Sequence, residues 1–261
     1  MTEILTLLSS HRSIRKFKSD PIAEQLLGEI INSARQAPTS SNLQAYSIVV
    51  VKDLDKKKRM AQLAGDQPWI ESCPVFLVIC PDLFRLEQVC RLRNYETNDK
   101  YIENFIVAVV DAALVAENIL VASEASGLGV CVVGGIRNSP AEISALLKLP
   151  DRVFPLLGIC LGYPDQGGVL KPRLPREVVV FDEEYGCHDI EKHIRNYDIL
   201  IQSLGLYDGP RRKIPAPDGR TIPDDQYGWS EHISRRMAAT DPKALRAHMK
   251  DFLRRQGFGL E

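Results

Sequence analysis

The order of apolar and polar positions predicts helices that alternate with short buried strands. Apolar residues recur at helical spacing over 4–10, 20–37, 54–64, 103–126, 189–203, 230–239 and 242–256. Short runs rich in β-branched residues predict strands at 46–51, 75–80, 130–133 and 154–161. Between them, the charged segment 83–98 predicts a surface helix or lid whose cations, Arg85 among them, are solvated.

The segment 103–126 is apolar on nearly all sides, which predicts a helix that lies in the core or in an interface with little of its surface exposed to water. Asp111, Glu117 and Glu124 interrupt it, and each would be costly in hydrocarbon. We therefore interpret it as a buried helix and not as a membrane span, and expect no membrane partner.

Positive charge is concentrated in a first basic segment, residues 11–16, with the sequence His-Arg-Ser-Ile-Arg-Lys. The formal net charge of the 261-residue chain is −1, so this density is local, and we expect no nucleic-acid partner. A second basic segment, residues 171–173, is stiffened by Pro172 and Pro175. Ser13 and the cations of the two segments could converge on one phosphate.

Two further polar stretches each leave an alternative open. The hydroxyl and amide run at 39–44 could bind a polar ligand or be an ordinary connector. A third basic group, Arg211, Arg212, Lys213 and Arg220, lies in a Pro- and Gly-rich insertion. It could be solvated surface charge or a nucleotide-phosphate site.

Several common chemistries lack their motifs. Gly127 and Gly129 follow a predicted helix and precede a strand, the reverse of the dinucleotide-binding order. The six cysteines form no CxxC pair, and Cys80, Cys131 and Cys160 lie in apolar runs typical of buried thiols. Cys187-His188 with His193 lacks a second ligand pair, so we expect no metal site.

Taken in order along almost the whole chain, a set of motifs resembles the FMN-dependent nitroreductase family, and within it the NADPH-preferring group. The motifs are His11-Arg12-Ser13-Ile14-Arg15, Ser40-Ser41-Asn42-Leu43-Gln44, Gly134-Gly135-Ile136-Arg137-Asn138, Gly162-Tyr163-Pro164, Leu170-Lys171-Pro172-Arg173 and Trp229-Ser230-Glu231-His232. Their combination is far more specific than any one of them.

The resemblance implies an α+β fold, with a mixed sheet surrounded by helices and an extended C-terminal helical tail. It implies an intertwined homodimer with one FMN in each of two interface clefts. The expected organisation is a core over 1–204 and an extension over 205–261, which carries the 207–227 insertion and belongs to the same single domain.

The resemblance also assigns residues to the cofactor. His11, Ser13, Lys171 and Arg173 would hold the FMN phosphate with Arg12 nearby, and Arg15 would face the N1 edge of the ring and tune it. Main-chain groups of Val133, Gly134 and Gly135 would lie at the ring, with Gly135 near N5. Ser40, Ser41, Gln44 and Gln67 would address ribityl and ring-edge atoms, the first three from the partner chain. Arg211, Arg212 and Lys213 would hold the NADPH phosphate.

The implied activity is an NAD(P)H oxidoreductase of the cytoplasm that reduces nitroaromatics, quinones or related small molecules by two-electron, ping-pong transfer through FMN. Such chemistry needs no protein nucleophile. One alternative is a flavin reductase that supplies free reduced flavin. Another is a flavin-binding or flavin-sensing protein with little turnover.

Overall fold

A computed structural model describes residues 2–98, 100–209 and 213–261. By its internal contacts the chain divides into two units. The first unit runs to Leu170 and includes Arg246–Glu261, whereas the second comprises Lys171–Leu245. The predicted boundary at 204/205 rests on the sequence and stays a prediction.

The first unit holds most of the secondary structure. Its helices are α1 (Glu3–Ser9), α2 (Glu24–Ala34), α3 (Leu54–Leu63), α4 (Pro68–Ser72), α5 (Phe84–Leu92), α6 (Glu103–Ala125), α7 (Pro140–Leu147) and α10 (Met249–Arg255). Its strands are β1 (Tyr46–Val51), β2 (Val75–Pro81), β3 (Gly129–Val133) and β4 (Leu157–Gly162). The second unit contributes α8 (Ile190–Ser203) and α9 (Trp229–Met237).

Two predicted helix starts are wrong. Helix α2 begins at Glu24 and not at Asp20-Pro21, because the chain stays extended through Ala23, at φ −58° and ψ 135°. Helix α10 begins at Met249, seven residues after the predicted start at Pro242. Turns precede it, and Arg246 has a left-handed φ of 50°, which a continuous helix cannot contain.

The four strands form one sheet in the order β1-β2-β4-β3, with antiparallel pairing throughout. In register, Val49 faces Val78, Val78 faces Gly158, and Gly158 faces Val133. The one parallel pairing among the described residues is an isolated bridge between Ser13 and Val130. The four strands are therefore antiparallel, and the sheet is mixed only if the parallel bridge from Ser13 in the first basic segment is counted with it.

The core of this unit has two layers, one on each face of the sheet. Alternation along the fully buried β2 sends Leu77 and Ile79 to the layer that includes α2 and α6, and Phe76 and Val78 to the layer that includes α3 and α4. Cys80, Cys131 and Cys160 are buried free thiols, as the sequence predicts.

Helix α6 is buried on one face only. That face includes Ala112 and Ile119, whereas Ile106, Val110 and Leu114 are 46, 49 and 38 % exposed. The expectation that little of this helix meets water is therefore wrong for the single chain. By length and composition α6 could cross a membrane, but it packs against α2 and the sheet as a core helix does.

In the second unit, α8 and α9 pack through an aromatic contact and hydrogen bonds from the start of α9 to a half-buried carboxylate on α8. The rings of Tyr197 and Trp229 meet edge to face at 5.6 Å. The Asp198 carboxylate accepts hydrogen bonds from the main-chain N–H of Ser230, at 2.8 Å, and from its hydroxyl. A Cβ at Gly228 would lie 2.5 Å from Asp198 Oδ1, so this junction requires glycine.

Candidate cofactor site

The first basic segment lies as an extended arm against β3. Ser13 forms the parallel bridge to Val130, and the Ile14 N–H donates to the Val130 carbonyl at 2.8 Å. Ile14 is buried directly over Gly129, where a Cβ would come within 2.9 Å of the isoleucine side chain. Because side chains alternate along an extended chain, burying Ile14 turns Ser13 and Arg15 to the opposite side.

Three side chains of this arm, those of His11, Arg12 and Arg15, have protein partners. His11 Nδ1 lies 2.8 Å from Glu124 Oε1 on α6, and Arg12 donates to the Gly167 carbonyl at 3.3 Å. The Arg15 guanidinium lies 5.4 Å from the centre of the Trp69 ring, a cation–π contact. The arm is therefore held in place by its side chains as well as by its backbone.

Gln67 and Gly135 meet beside α4. The Gln67 side-chain amide donates to the Ala64 carbonyl at 2.8 Å. A Cβ at Gly135 would lie 2.2 Å from Gln67 Nε2 and 2.4 Å from the Ala64 oxygen. Position 135 therefore requires glycine because the protein itself packs there, a reason that is separate from the predicted approach of a ligand ring.

Two further groups belong to the surroundings of Arg15 and Gln67. The Trp69 indole N–H is buried and has no hydrogen-bond partner among the described residues. Val133 is buried at the end of β3 with its side chain in the core, so only its main chain could reach a ligand. Its predicted role, like those of its neighbours, stays a prediction.

The polar run at 39–44 enters a strained turn, here named the 40–45 loop. Ser41, Asn42 and Gln44 all have left-handed backbones, with φ of 47°, 57° and 50°. Such angles are uncommon outside glycine and persist only where the surroundings impose them. An ordinary connector would have no need of three such residues in four positions.

The contacts that impose this shape come from two side chains outside the loop. Asp111 on α6, with no exposed surface, accepts from the Ser40 and Ala45 N–H groups, each at 2.9 Å. Arg85 on α5 donates to the Gln44 carbonyl at 3.1 Å and to the Tyr46 carbonyl at 2.8 Å. The expectation that Arg85 is merely solvated is wrong.

The second basic segment belongs to the second unit. The Tyr197 hydroxyl donates to the Pro172 carbonyl at 2.9 Å, and Arg173 donates to the Lys171 carbonyl at 2.8 Å. Burial raises the pKa of Tyr197, and nearby Arg173 opposes that shift. Both cations are exposed, while the backbone between them is fixed to α8.

Of the predicted coenzyme residues, Arg211 and Arg212 lie outside the described part of the chain. Lys213 pairs with Asp224 and lies 5.2 Å from the centre of the Tyr227 ring. Arg235 lies near the same ring, at 5.1 Å. Lys213 is thus part of a cation–aromatic cluster inside the second unit, and its proposed contact with a phosphate stays a prediction.

His232 also belongs to that cluster. Its ring stacks on Tyr207 at 4.3 Å between centroids, and its Nδ1 lies 3.2 Å from the Tyr227 hydroxyl. Burial lowers the pKa of His232, and the positive charges of Arg236 and Lys171 lower it further. Within the described ranges, no group of three or more His, Cys, Asp or Glu residues is arranged to hold a metal ion.

Comparison with known proteins places this geometry in a family. The model of the nitroreductase family matches residues 8–163, and the model of the nitroreductase family C-terminal domain matches residues 171–261. The chain belongs to the nitroreductase family. These two matches cover the first basic segment, the 40–45 loop and the second basic segment.

Individual relatives of this nitroreductase match over nearly their full length. The chain is 35 % identical to FMN reductase [NAD(P)H] of Bacillus subtilis, with 100 % of each chain covered. It is 34 % identical to the oxygen-insensitive NADPH nitroreductase of Salmonella typhimurium, with 99 % of each chain covered. The solved structure of the NADPH:FMN oxidoreductase of Vibrio harveyi complexed with NAD⁺ superposes with a TM-score of 0.84. It is 33 % identical, and all of both chains are covered.

The contacts of three side chains near the predicted site residues do not follow from the sequence. In the sequence, Asp111 is only a polar interruption of an apolar helix, and that interruption is the signal for its buried contacts. Trp69 follows Gln67 by two residues and carried no signal of its own. Arg85 lies in a segment of several cations, and nothing in the sequence distinguishes it from its solvated neighbours.

Proposed function

We propose that this chain is an FMN-dependent NAD(P)H oxidoreductase that reduces nitroaromatics, quinones or related small molecules. The observation that carries the proposal is family membership over the whole chain, together with a set of hydrogen-bond donors in the positions that the family resemblance assigns to FMN.

The donor chemistry fits an anionic, hydrogen-bonding ring system. The structure supplies the Arg15 guanidinium beside Trp69, whose buried indole N–H is unpartnered among the described residues, and the Gln67 amide beside Gly135. Ser13 offers a hydroxyl on the same arm as Arg15. In the second unit Lys171 and Arg173 present exposed cations of the kind that bind a phosphate.

When bound, FMN supplies the hydride and electron transfer, so the side chains of the protein bind and orient and need not react. Arg15, held by its bridge-forming arm and by Trp69, would supply a permanent positive charge that favours the negatively charged, reduced ring. Lys171 and Arg173 would hold the phosphate. Gly135 keeps Gln67 and the end of β3 close together.

NADPH is the proposed hydride donor, with NADH as an alternative. Support comes from the names of the relatives, which include an NADPH nitroreductase and an FMN reductase that uses NAD(P)H. Arg211, Arg212 and Lys213 remain the proposed contacts for the extra phosphate of NADPH.

The test is anaerobic reduction of the purified, FMN-reconstituted protein by NADPH and, in parallel, by NADH. We expect a yellow protein whose visible absorbance bleaches within the first turnover and returns on addition of a nitrofuran. A protein that cannot be loaded with FMN would contradict the proposal. Bound flavin that stays oxidised under excess of both coenzymes would favour the low-turnover flavin-binding alternative.

A second candidate, flavin reductase, is favoured by the relatives named FMN reductase [NAD(P)H] and NADPH-flavin oxidoreductase. Here free FMN is the acceptor and leaves reduced. Turnover numbers with free FMN and with a nitroaromatic, measured at the same NADPH concentration, separate the two activities.

The proposed working unit is a homodimer in the cytoplasm, where NADPH is the ordinary reductant. Ile106, Val110 and Leu114 form an exposed apolar face on α6, and the neighbouring α1 exposes Ile4 and Leu5 as well. We propose that a second copy of the chain buries this face in a homodimer interface.

Light scattering coupled to size exclusion tests the dimer. We expect twice the chain mass for the natural protein and the single-chain mass for Val110→Glu. Lys56→Glu, at an exposed position of α3, is the control. A natural protein that elutes with the mass of one chain would remove the dimer proposal without touching the proposed chemistry.

A further inference from the structure

The 40–45 loop cannot hold its own shape. Three of its residues are left-handed without being glycine, and the short local hydrogen bonds of the loop, such as Leu43 N–H to the Ser40 carbonyl at 2.8 Å, are those of a simple turn. Left to itself, a chain of this sequence would relax toward ordinary backbone angles.

One side chain closes the two ends of the loop. Asp111 Oδ1 accepts from the Ser40 N–H and Oδ2 from the Ala45 N–H, so both carboxylate oxygens are engaged by residues that flank the left-handed positions. Hydrogen bonds from a backbone N–H to an ionised carboxylate are stronger than those between neutral groups. The two bonds together fix the distance between the ends of the loop.

The cost of placing a carboxylate at this position indicates that it has a specific task. Asp111 lies among Ala108, Ala112 and Val115 on the buried face of α6, where an apolar residue would satisfy the packing. A buried carboxylate is tolerated only when its oxygens are hydrogen-bonded, and here both partners belong to the loop.

We infer that Asp111 is a positioning residue that holds the 40–45 loop in its ligand-binding shape. This inference rests on the proposed function and on the family resemblance, which implies that Ser40, Ser41 and Gln44 address the FMN of the partner chain. The same helix carries the exposed face of Ile106, Val110 and Leu114, so Asp111 also ties the loop to the surface proposed to meet the second chain.

The test combines amide hydrogen exchange with FMN affinity. Asp111→Asn keeps the volume of the side chain and one acceptor oxygen, but turns an N–H₂ group toward the second donor. Asp111→Ala removes both acceptors. We expect exchange of the 39–46 peptide to be about tenfold faster in the Asn variant and faster still in the Ala variant. The dissociation constant for FMN should rise by about tenfold in the Asn variant.

The matched control is Asp53→Asn. Asp53 caps α3 by accepting from the Lys56 N–H at 2.8 Å, so the variant makes the same Asp-to-Asn change, with the same loss of charge, at another carboxylate-to-backbone bond in the same unit. It should leave both the 39–46 exchange and the FMN affinity unchanged. If Asp111→Ala fails to fold, the isosteric Asn variant still decides the outcome.

Unchanged 39–46 exchange in Asp111→Asn would overturn the inference. Faster exchange with natural FMN affinity would overturn the positioning role. If the natural protein itself fails to bind FMN, the proposed function fails and the ligand half of the inference fails with it. The exchange rates then still decide whether Asp111 holds the loop.

Discussion

The two basic segments both concentrate positive charge but differ in what their side chains contact. In the first, the side chains themselves are engaged: His11 by the carboxylate of Glu124, Arg12 by the Gly167 carbonyl and Arg15 by the Trp69 ring. In the second, the Tyr197 hydroxyl donates a hydrogen bond to the Pro172 carbonyl, while Lys171 and Arg173 are exposed.

This difference shows that charge density in a sequence does not say which cations are available to a ligand. A side chain that already contacts a carboxylate gains less binding free energy from a phosphate than a side chain whose only partner is a carbonyl oxygen. We therefore expect the second segment to provide most of the phosphate affinity, and the first segment to act through position and through Arg15.

The largest effect is expected for the double variant Lys171→Ala with Arg173→Ala. Charge-assisted hydrogen bonds contribute about 1.5–3 kcal/mol each, so losing two of them should weaken FMN binding by roughly 100-fold or more. Riboflavin, which lacks the phosphate, should bind as before. Fluorescence titration with both ligands measures this, and Arg176→Ala, an exposed arginine nearby, is the control. An equal loss for riboflavin would show that the contact is not with the phosphate.

A smaller loss is expected for His11→Ala with Ser13→Ala. Because His11 already contacts Glu124, losing His11 and Ser13 together should raise the dissociation constant for FMN by only about tenfold. The same titration measures it. Ser10→Ala removes a neighbouring hydroxyl that bonds only within α1, at 2.9 Å to the Leu7 carbonyl. If this double variant lost as much affinity as the Lys171 and Arg173 pair, the contrast between the segments would be wrong.

Arg15→Ala should leave FMN bound and lower its reduction potential by about 20 mV, or roughly a fivefold change in the equilibrium constant of a two-electron couple. The reason is the loss of a fixed positive charge that favours the reduced, negatively charged ring. Anaerobic titration against a reference dye measures the shift. Lys16→Ala, which removes the adjacent exposed charge, should shift it less, and an unchanged potential in Arg15→Ala would refute the assignment.

The smallest effect concerns the charge of Lys171 on His232. Burial, Arg236 and Lys171 lower the pKa of His232 below the usual value of about 6.5, so the folded chain favours the neutral ring. The stability that this contributes is present above pH 6.5 and is lost as pH falls through the lowered pKa. Lys171→Ala should raise the pKa of His232 toward its usual value in an NMR titration. Lys192→Ala on α8 should not, and identical titrations in both variants would contradict the prediction.

The elements of the fold follow largely from the sequence, because their patterns are local. The continuous, β-branched apolar run of β2 and the long apolar run of α6 predict both elements nearly to the residue, since such runs need only neighbouring positions. The misplaced starts of α2 and α10 have the opposite cause. Residues near Pro21 and Arg246 adopt extended or left-handed backbones for reasons that the apolar pattern does not contain.

The site is predictable to a lesser degree. Arg15, Gln67 and Gly135 come from a family resemblance, and the structure brings Arg15 to Trp69 and Gln67 to Gly135. Asp111 and Arg85 act on a loop that is 66 and 41 residues away in sequence, and no local pattern encodes a contact at that distance. The partners of a cation, and with them its availability, depend on the folded chain.

The wide separation in sequence between Asp111 and the 40–45 loop has a consequence for how the protein folds. Contacts between residues far apart in sequence are made late, after the intervening chain has been ordered. During synthesis the loop emerges long before residue 111, so it waits without its native shape until α6 has docked on the sheet. If the loop binds a ligand as proposed, its binding shape is completed only when α6 docks, and binding competence becomes a sign that the core has closed.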